Sequence, residues 1–510
     1  MCKNVVLFYL LTILLHYSIC EKLIFASLHS RHGPKAPVTC DENSIDYLGE
    51  SWANPGELTP VGQRMEYVLG LRNRQRYIVE KHQLLSPRFD PHEIQVFSTD
   101  SNTTILGVYC QLQGLYPMYN QSGFTLTEGQ LRFAVPNVDV SDEDIQEEIK
   151  NLNDSALPNY MSVLPVHVYN PHQLKLNLHE NSTECSKKLN KTRDKNKKNK
   201  DTIIKAANDF NSKYAQSLNK YYDKNPENFK YDFDWIGMFC ENFIADLSDG
   251  RKMENFFKKT GIQNKDELHE DCKKIVYINL RDDFYGDDKN EVILFEGSNF
   301  MKEIVTFMKI KVKEDMSDEK KINIKDYSKP KLMIYSGDDG TLSGEILFMI
   351  KFFNLSLDEY IYPTYATQLT FEVTRADERP KNASYADYKV SFYINDKLIL
   401  EKNYKEFKEV VENNVWGSKQ IKQFCVIDDD DDDGGDDGGK DGGDKSNKIQ
   451  LWILITLGVF TLILIIAIVI LVIRYTQINK KVERISTPED NNTSKETDKK
   501  LISDGDAEAE

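Results

Sequence analysis

The stretch LIFASLHSRHGPKAP, Leu23–Pro37, joins a short apolar run to a polar loop. Its first half, Leu23 to His29, is apolar enough to form a buried β-strand. Its second half brings Arg31, His32 and Lys35 together directly after that strand. Loops at the carboxyl ends of neighbouring strands can meet in one cleft, so two cations beside a histidine at this point favour a site that binds an anion.

Further strands and helices are predicted around this segment. Two strands are followed by a turn and a helix, which is the repeating unit of an α/β fold. The middle of the chain, roughly residues 120–275, lacks clear strands and reads as mostly helical. We therefore expect an α/β fold with a central mixed sheet, flanking helices and a mostly helical cap domain. The predicted strands are Leu23–His29, Ile94–Thr99, Lys331–Gly337, Gln368–Val373 and Tyr388–Tyr393, and the adjoining helices are Leu58–Tyr77, Thr103–Leu115 and Thr341–Phe353.

Five segments, in order along roughly residues 22–371, resemble signatures of the histidine acid phosphatase family, in branch 2 of the histidine phosphatases. The first, RHGPKAP at Arg31–Pro37, resembles the family's R-H-G-x-R-x-P. The resemblance implies hydrolysis of phosphomonoesters on an α/β fold. The other segments are PGELTPVG at Pro55–Gly62, STD at Ser98–Asp100, YSGDD at Tyr335–Asp339 and YPTYA at Tyr362–Ala366, which resemble the family's G-x-L-T-x-x-G helix start, its second strand end, its Y-S-x-H-D and a further family segment.

The resemblance also implies roles for single residues. It makes His32 the nucleophile, Arg31 a phosphate clamp and Asp339 the proton donor. A histidine can attack phosphorus directly, and water then hydrolyses the phosphohistidine, so the reaction needs no metal and no cofactor. The leaving alcohol takes a proton, most readily from a nearby carboxylic acid.

Three phosphate-binding positions depart from the family pattern. Lys35 stands where a second arginine is usual, which keeps the charge but loses the planar two-pronged donor. Thr103 stands where another arginine is usual, so one cation is missing. Asp338 replaces the family's phosphate-binding histidine and puts an anion where phosphate oxygens would lie. Because adjacent carboxylates repel, we expect the apparent pKa of the Asp338 and Asp339 pair to be raised.

Two functions are compatible with these residues. Arg31, His32 and Asp339 favour an acid phosphatase, with activity that the substitutions are expected to reduce. Thr103 and Asp338 favour a pseudophosphatase that keeps the fold as a surface binding or adhesion module. The substrate of the first function is a phosphomonoester, and its identity depends on the cap, where the resemblance is poorest.

Both ends of the chain carry membrane signals. Residues 1–20 are typical of a secretory signal peptide, with an uncleaved anchor as the alternative. Residues 449–473 are uncharged, apolar and long enough for a single transmembrane helix. Basic residues follow this helix, so the positive-inside rule predicts a cytosolic tail at 474–510. We expect a type I membrane protein whose ectodomain, residues 21–427, lies in the lysosome or outside the cell, joined by an Asp- and Gly-rich linker at 428–448.

Charge and cysteine content agree with this placement. The net charge of -16 argues against a nucleic-acid partner, because phosphate backbones would be repelled. Six of the eight cysteines fall in the ectodomain, where an oxidising compartment would allow three disulfides in any of fifteen pairings. Seven Asn-x-Ser/Thr sequons favour a glycoprotein. The oligomeric state stays open, with a homodimer as one alternative.

Overall fold

The computed structural model describes residues 21–37, 56–80, 83–117, 125–131, 133–136, 138, 140–158, 163–169, 182–197, 201–222, 229–284, 290–317, 330–356, 362–376, 378, 380 and 382–425. The predicted signal peptide, linker, transmembrane helix and cytosolic tail lie outside these residues, and so does Cys40. Among the helices in the described ranges, none is both long and apolar enough to cross a bilayer.

A seven-stranded mixed sheet forms the centre of the described part of the chain. Its strands are β1 (Glu21–Arg31), β2 (Ile94–Thr99), β3 (His167–Tyr169), β4 (Leu332–Gly337), β5 (Gln368–Ala376), β6 (Tyr388–Ile394) and β7 (Lys397–Asn403). Their order across the sheet is β3-β2-β4-β1-β5-β6-β7. The first four strands of that order are parallel, and the other pairs are antiparallel.

Strand β1 lies in the middle of the sheet because it is apolar enough to be buried on both faces. Every residue from Leu23 to Arg31 is buried, the pattern expected of a central strand covered by helices on both sides. Arg31 pairs with Gly337 at the end of β4. Since β1, β4 and β2 run parallel, their carboxyl ends open at the same edge of the sheet.

Helices cover both faces of this sheet. The α-helices of the described residues are α1 (Pro60–Arg74), α2 (Asn102–Leu115), α3 (Glu128–Leu131), α4 (Glu143–Leu152), α5 (Ser182–Lys197), α6 (Asp201–Tyr221), α7 (Phe233–Ser248), α8 (Glu254–Thr260), α9 (Lys265–Phe284), α10 (Glu291–Met316), α11 (Asp339–Phe353), α12 (Tyr404–Asn414) and α13 (Ser418–Phe424). Along β4, Met333 and Tyr335 pack into one hydrophobic cluster with α10 and α11. Leu332 and Ile334 point the opposite way, into a second cluster with α2.

Helices α6 to α9 have a hydrophobic cluster of their own, rich in aromatic rings. Phe239 and Phe243 on α7 and Phe256 on α8 are fully buried in it. Tyr362, from the loop before β5, packs on the same cluster. This contact places α7 next to the loop that leads back into the sheet.

The predicted strands and helices are confirmed, and two strands were missed. Strand β3 is only three residues long and lies in the region expected to lack strands, which was wrong there. Strand β7 is joined to β6 by Asn395 and Asp396, which both have positive φ, 49° and 65°. A two-residue hairpin turn requires that backbone conformation, and asparagine and aspartate tolerate it.

One disulfide joins Cys185 on α5 to Cys425 after α13. It therefore links the middle of the chain to the end of the described part, across a sequence separation of 240. Among the described cysteines, Cys110, Cys240 and Cys272 are thiols. This bond identifies one of the cysteine pairs that the sequence left open.

We expect loss of this disulfide to destabilise the fold. Replacing Cys185 and Cys425 together by serine should lower the free energy of unfolding by about 2–5 kcal/mol, because the unfolded chain is freed from a long closed loop. Guanidinium chloride unfolding followed by tryptophan fluorescence measures the change. Cys110→Ser, which removes a thiol outside the bond, is the matched control, and an equal effect in both variants would contradict the prediction.

Candidate active site

The ends of β1 and β4 bring most of the predicted site residues into one cavity of about 230 Å³. Arg31 and His32 come from the end of β1, and Asp338 and Asp339 from the end of β4 and the start of α11. The described residues that line the cavity are Arg31, His32, Lys35, Ala36, Pro37, Met238, Glu241, Asn242, Ala245, Asp338, Asp339, Tyr362 and Tyr365.

The Arg31 side chain is buried and held from three sides. Its Nη2 forms an ion pair with Asp339 Oδ2 at 2.8 Å. Its Nη1 donates to the Pro363 carbonyl at 2.6 Å. The guanidinium lies 4.3 Å from the ring centroid of Tyr365 and 5.2 Å from that of Tyr362. These contacts fix a permanent cation at the wall of the cavity.

The His32 ring is held in one tautomer. Its Nδ1 lies 2.7 Å from the carbonyl oxygen of Gly33, which can only accept, so Nδ1 carries the hydrogen. Nε2 therefore keeps its lone pair. Burial and the charge of Arg31 lower the pKa of His32 to about 4. The imidazole is thus neutral, and able to act as a nucleophile, down to acid pH.

Asp339 is ionised opposite Arg31. Burial alone would raise its pKa, but the charges of Arg31 and Lys35, and that of His32 when it is protonated, hold the pKa of this carboxyl below its ordinary value. Its Oδ1 also accepts a hydrogen bond from the Gly340 amide at 2.9 Å. The expectation that repulsion between the two carboxylates raises this pKa is wrong for Asp339, because the cations dominate.

Asp338 is exposed and is the N-cap of α11. Its Oδ1 accepts from the Thr341 amide at 2.9 Å, and the Thr341 hydroxyl accepts from the Asp338 amide at 2.9 Å. This reciprocal arrangement is a capping box, which satisfies amides at the helix start. Asp338 therefore lines the cavity and caps the helix at the same time.

Lys35 and Thr103 are placed differently from one another. Lys35 is half-buried, lines the cavity and pairs through its backbone with Leu58 before α1. Thr103 is buried, lies 2.9 Å from the Ser101 hydroxyl and is not among the described residues that line the cavity. The position that lacks the expected arginine therefore does not line the cavity.

Comparison with known proteins decides the family. A model of the histidine phosphatase superfamily (branch 2) matches residues 31–394. The chain belongs to this superfamily. Lysosomal acid phosphatases of Xenopus laevis and Homo sapiens are 33% identical over 97 residues and 34% identical over 98 residues. These alignments cover 19% of this chain and 22% of each relative, so the chain matches about a fifth of their length.

Solved structures agree on the fold. The apo form of Hafnia alvei phytase superimposes with a TM-score of 0.50 and 12% sequence identity. The superposition covers 80% of this chain and 99% of the phytase chain. At this identity the likeness concerns the α/β architecture alone.

Glu66 on α1 supports the His32 loop from behind. Glu66 is fully buried and accepts a hydrogen bond from the Gly33 amide. Its Oε2 also accepts from Gln111 Nε2 at 2.6 Å. The Gly33 peptide is therefore clamped on both sides, because its carbonyl accepts from His32 while its amide donates to Glu66. Burial raises the pKa of Glu66 to about 8, so it is neutral at acid and neutral pH.

Glycine is required where the His32 loop meets α1. A Cβ on Gly33 would lie 2.6 Å from the Cα of Gly62, and one on Gly62 would lie 2.4 Å from the Pro34 carbonyl oxygen. Both distances are shorter than any stable contact. The two motif glycines thus let the loop and the helix approach backbone to backbone.

Helix α7 contributes a further part of the cavity lining. Met238, Glu241, Asn242 and Ala245 are spaced along one helical face and all line the cavity. These residues and Glu66 were not predicted from the sequence. Polar Glu241 and Asn242 interrupt the otherwise apolar stretch Trp235–Ala245, a signal that could have marked them. Among the described residues, no group of three histidine, cysteine or acidic side chains is placed to hold a metal ion.

The clamp on Gly33 predicts a measurable effect on His32. Glu66→Leu removes the acceptor for the Gly33 amide, and we expect the fixed Nδ1–H tautomer of His32 to be lost. An unpaired buried amide of this kind costs about 1–3 kcal/mol, enough to release the loop. ¹⁵N NMR of histidine-labelled protein reports the tautomer.

Glu66→Gln keeps an acceptor oxygen at the same place and should retain the wild-type tautomer. Glu93→Gln, at a carboxylate on the far end of the sheet that pairs with Lys331, controls for loss of a partly buried acid. If Glu66→Leu leaves the His32 nitrogen shifts unchanged, the clamp does not set the tautomer.

Proposed function

We propose that this protein hydrolyses phosphomonoesters through a phosphohistidine intermediate on His32. The observation that carries the proposal is the ring of His32, whose Nδ1–H is bonded to Gly33 and whose Nε2 keeps a lone pair at the cavity. A lowered pKa of about 4 keeps this ring neutral at acid pH. Membership of the histidine phosphatase superfamily and the match to lysosomal acid phosphatases support the same reaction class.

The reaction would proceed in two displacements. In the first, the Nε2 lone pair of His32 forms a bond to phosphorus as the bond to the leaving oxygen breaks. Arg31 and Lys35 would balance the charge on the phosphoryl oxygens. In the second, water attacks phosphorus, phosphate leaves, and the His32 imidazole is restored.

Asp339 would supply the proton to the leaving alcohol, although it is ionised while paired with Arg31. A bound phosphate brings negative charge to Arg31 and competes with Asp339 for the guanidinium. Loss of the ion pair and gain of a nearby anion both raise the pKa of the Asp339 carboxyl. Asp339 would then take up a proton from solvent, which makes it the general acid. Asp339 would then act as the base that activates water in the second displacement.

A pseudophosphatase is the second candidate, and the charges of the cavity favour it. Among the described residues that line the cavity, only Arg31 and Lys35 are cations, while Asp338, Asp339 and Glu241 are acids. A phosphate dianion meets fewer cations than acids there. The same observation supports reduced activity if the protein is an enzyme.

We also propose that the ectodomain faces the lysosomal lumen or the cell exterior, with α6 to α9 as the cap over the active site. The Cys185–Cys425 bond supports an oxidising compartment. The uncharged segment 449–473 supports a single membrane anchor. The wall that α7 contributes to the cavity supports the role of the cap.

The first test is hydrolysis of an aryl phosphate by the full-length protein in detergent, from pH 4 to 8, beside His32→Ala. We expect phosphate release that is highest at acid pH and lost by at least about 1000-fold in the variant, because the nucleophile cannot be replaced. Acid quench of the wild-type reaction should trap an acid-labile phosphoprotein. No turnover above the His32→Ala level at any pH would leave the pseudophosphatase as the function.

A second test concerns the charge of Asp338. Asn caps helices as well as Asp, so Asp338→Asn should keep α11 intact while it removes an anion from the cavity rim. Removal of about 1 kcal/mol of repulsion should lower KM for an aryl phosphate about fivefold. Asp338→Ala, which loses both charge and cap, is the control and should melt at a lower temperature. A KM in Asp338→Asn equal to that of the wild type would show that Asp338 does not oppose phosphate binding.

A further inference from the structure

We propose that Glu241 on α7 selects the alcohol part of the substrate. It favours phosphomonoesters whose alcohol carries an ammonium group, such as aminoalkyl phosphates, over those whose alcohol carries further negative charge. This inference rests on the proposed function, because it takes His32 and Arg31 as the end of the cavity where the phosphate binds.

The cavity has two chemically different walls. Arg31, His32 and Lys35 form the wall that would hold the phosphate. Helix α7 contributes another part of the lining, and Glu241 is the ionisable side chain among its lining residues. An ester with its phosphorus at His32 therefore places its alcohol in the same small cavity as Glu241.

Glu241 acts on the aromatic side of the cavity. Burial raises the pKa values of Tyr362 and Tyr365, and the negative charge of Glu241 adds to both increases. The carboxylate is therefore close enough to influence both rings that pack on Arg31. A carboxylate in the same cavity as the phosphate-binding residues can bind an ammonium group on the alcohol through charge.

The balance of charge in the cavity points the same way. The described residues that line it include two cations and three acids. A bound phosphate dianion adds further negative charge to this excess. An ammonium group on the alcohol offsets part of that excess. A second phosphate or a carboxylate on the alcohol would increase it, next to Glu241.

The size of the cavity suits a small alcohol group. A volume of about 230 Å³ is below the range of about 300–1,000 Å³ that is usual for drug-sized ligands. A short aminoalkyl phosphate is of suitable size.

The test compares three esters of similar size on the full-length protein. They are 2-aminoethyl phosphate with an ammonium group, propyl phosphate without a charge on the alcohol, and phosphoglycolate with a carboxylate. We expect kcat/KM to fall in that order, by about tenfold at each step, which corresponds to about 1.4 kcal/mol. Glu241→Gln should reduce the preference for 2-aminoethyl over propyl phosphate to about threefold or less. Glu254→Gln, at an exposed acid on the neighbouring helix α8 and outside the cavity lining, should keep the wild-type order.

Binding separates this inference from the proposed function. If no ester is turned over, including an aryl phosphate, the proposed function fails, and calorimetric affinities of the same three esters replace kcat/KM. The selectivity stands if 2-aminoethyl phosphate binds tightest and Glu241→Gln removes that preference. Equal kcat/KM values, or equal affinities, for all three esters in wild type and Glu241→Gln would overturn it while leaving phosphoryl transfer untouched. A melting temperature for each variant within the wild-type range confirms that the comparison is made on folded protein.

Discussion

The ion pair between Arg31 and Asp339 is the contact on which the rest of the site depends. Arg31 is only 4% exposed, and an unpaired charge at that depth would be strongly destabilising. Asp339, whose side chain is partly exposed, provides the compensating charge at 2.8 Å, which holds the end of β1 against the start of α11 with His32 beside them. In the proposed reaction, phosphate competes with Asp339 for Arg31. The contact that stabilises Arg31 is thus one that the substrate would weaken, and its weakening would raise the pKa of Asp339.

Two buried carboxyls near the site make the stability of the fold depend on pH. Burial raises the pKa of Glu66 to about 8 and that of Glu345, which lies 2.5 Å from His29, to about 7. In the unfolded chain both ionise near 4.5. Between those values the folded protein holds protons that the unfolded chain has lost, so stability from these groups is greatest at acid pH and falls as pH rises. His32 acts in the opposite sense between about 4 and 6.5, because its pKa is lowered. Mildly acidic conditions therefore suit the fold better than alkaline ones.

Sequence was enough to predict the strands whose ends carry chemistry, because β1 and β4 are apolar runs followed at once by Arg31, His32 and Asp339. It could not reveal Glu66 or Glu241. Glu66 lies within an ordinary amphipathic helix, and only the approach of α1 to the Gly33 loop gives it a partner. Glu241 becomes a lining residue only when α7 packs beside Tyr362 and the loop before β5. Thr103 shows the same limit, since the motif assigned it to phosphate binding and the described residues that line the cavity do not include it.

Asp338 is the position where local and functional requirements conflict. The start of α11 needs an acceptor for its first amides, and aspartate with Thr341 meets that need better than the histidine of the family pattern. The same carboxylate adds a negative charge to a cavity proposed to bind a dianion. A substrate that brings its own positive charge would reduce this conflict without any change in the protein. The aspartate at position 338 is therefore compatible with an enzyme whose substrate carries a cation.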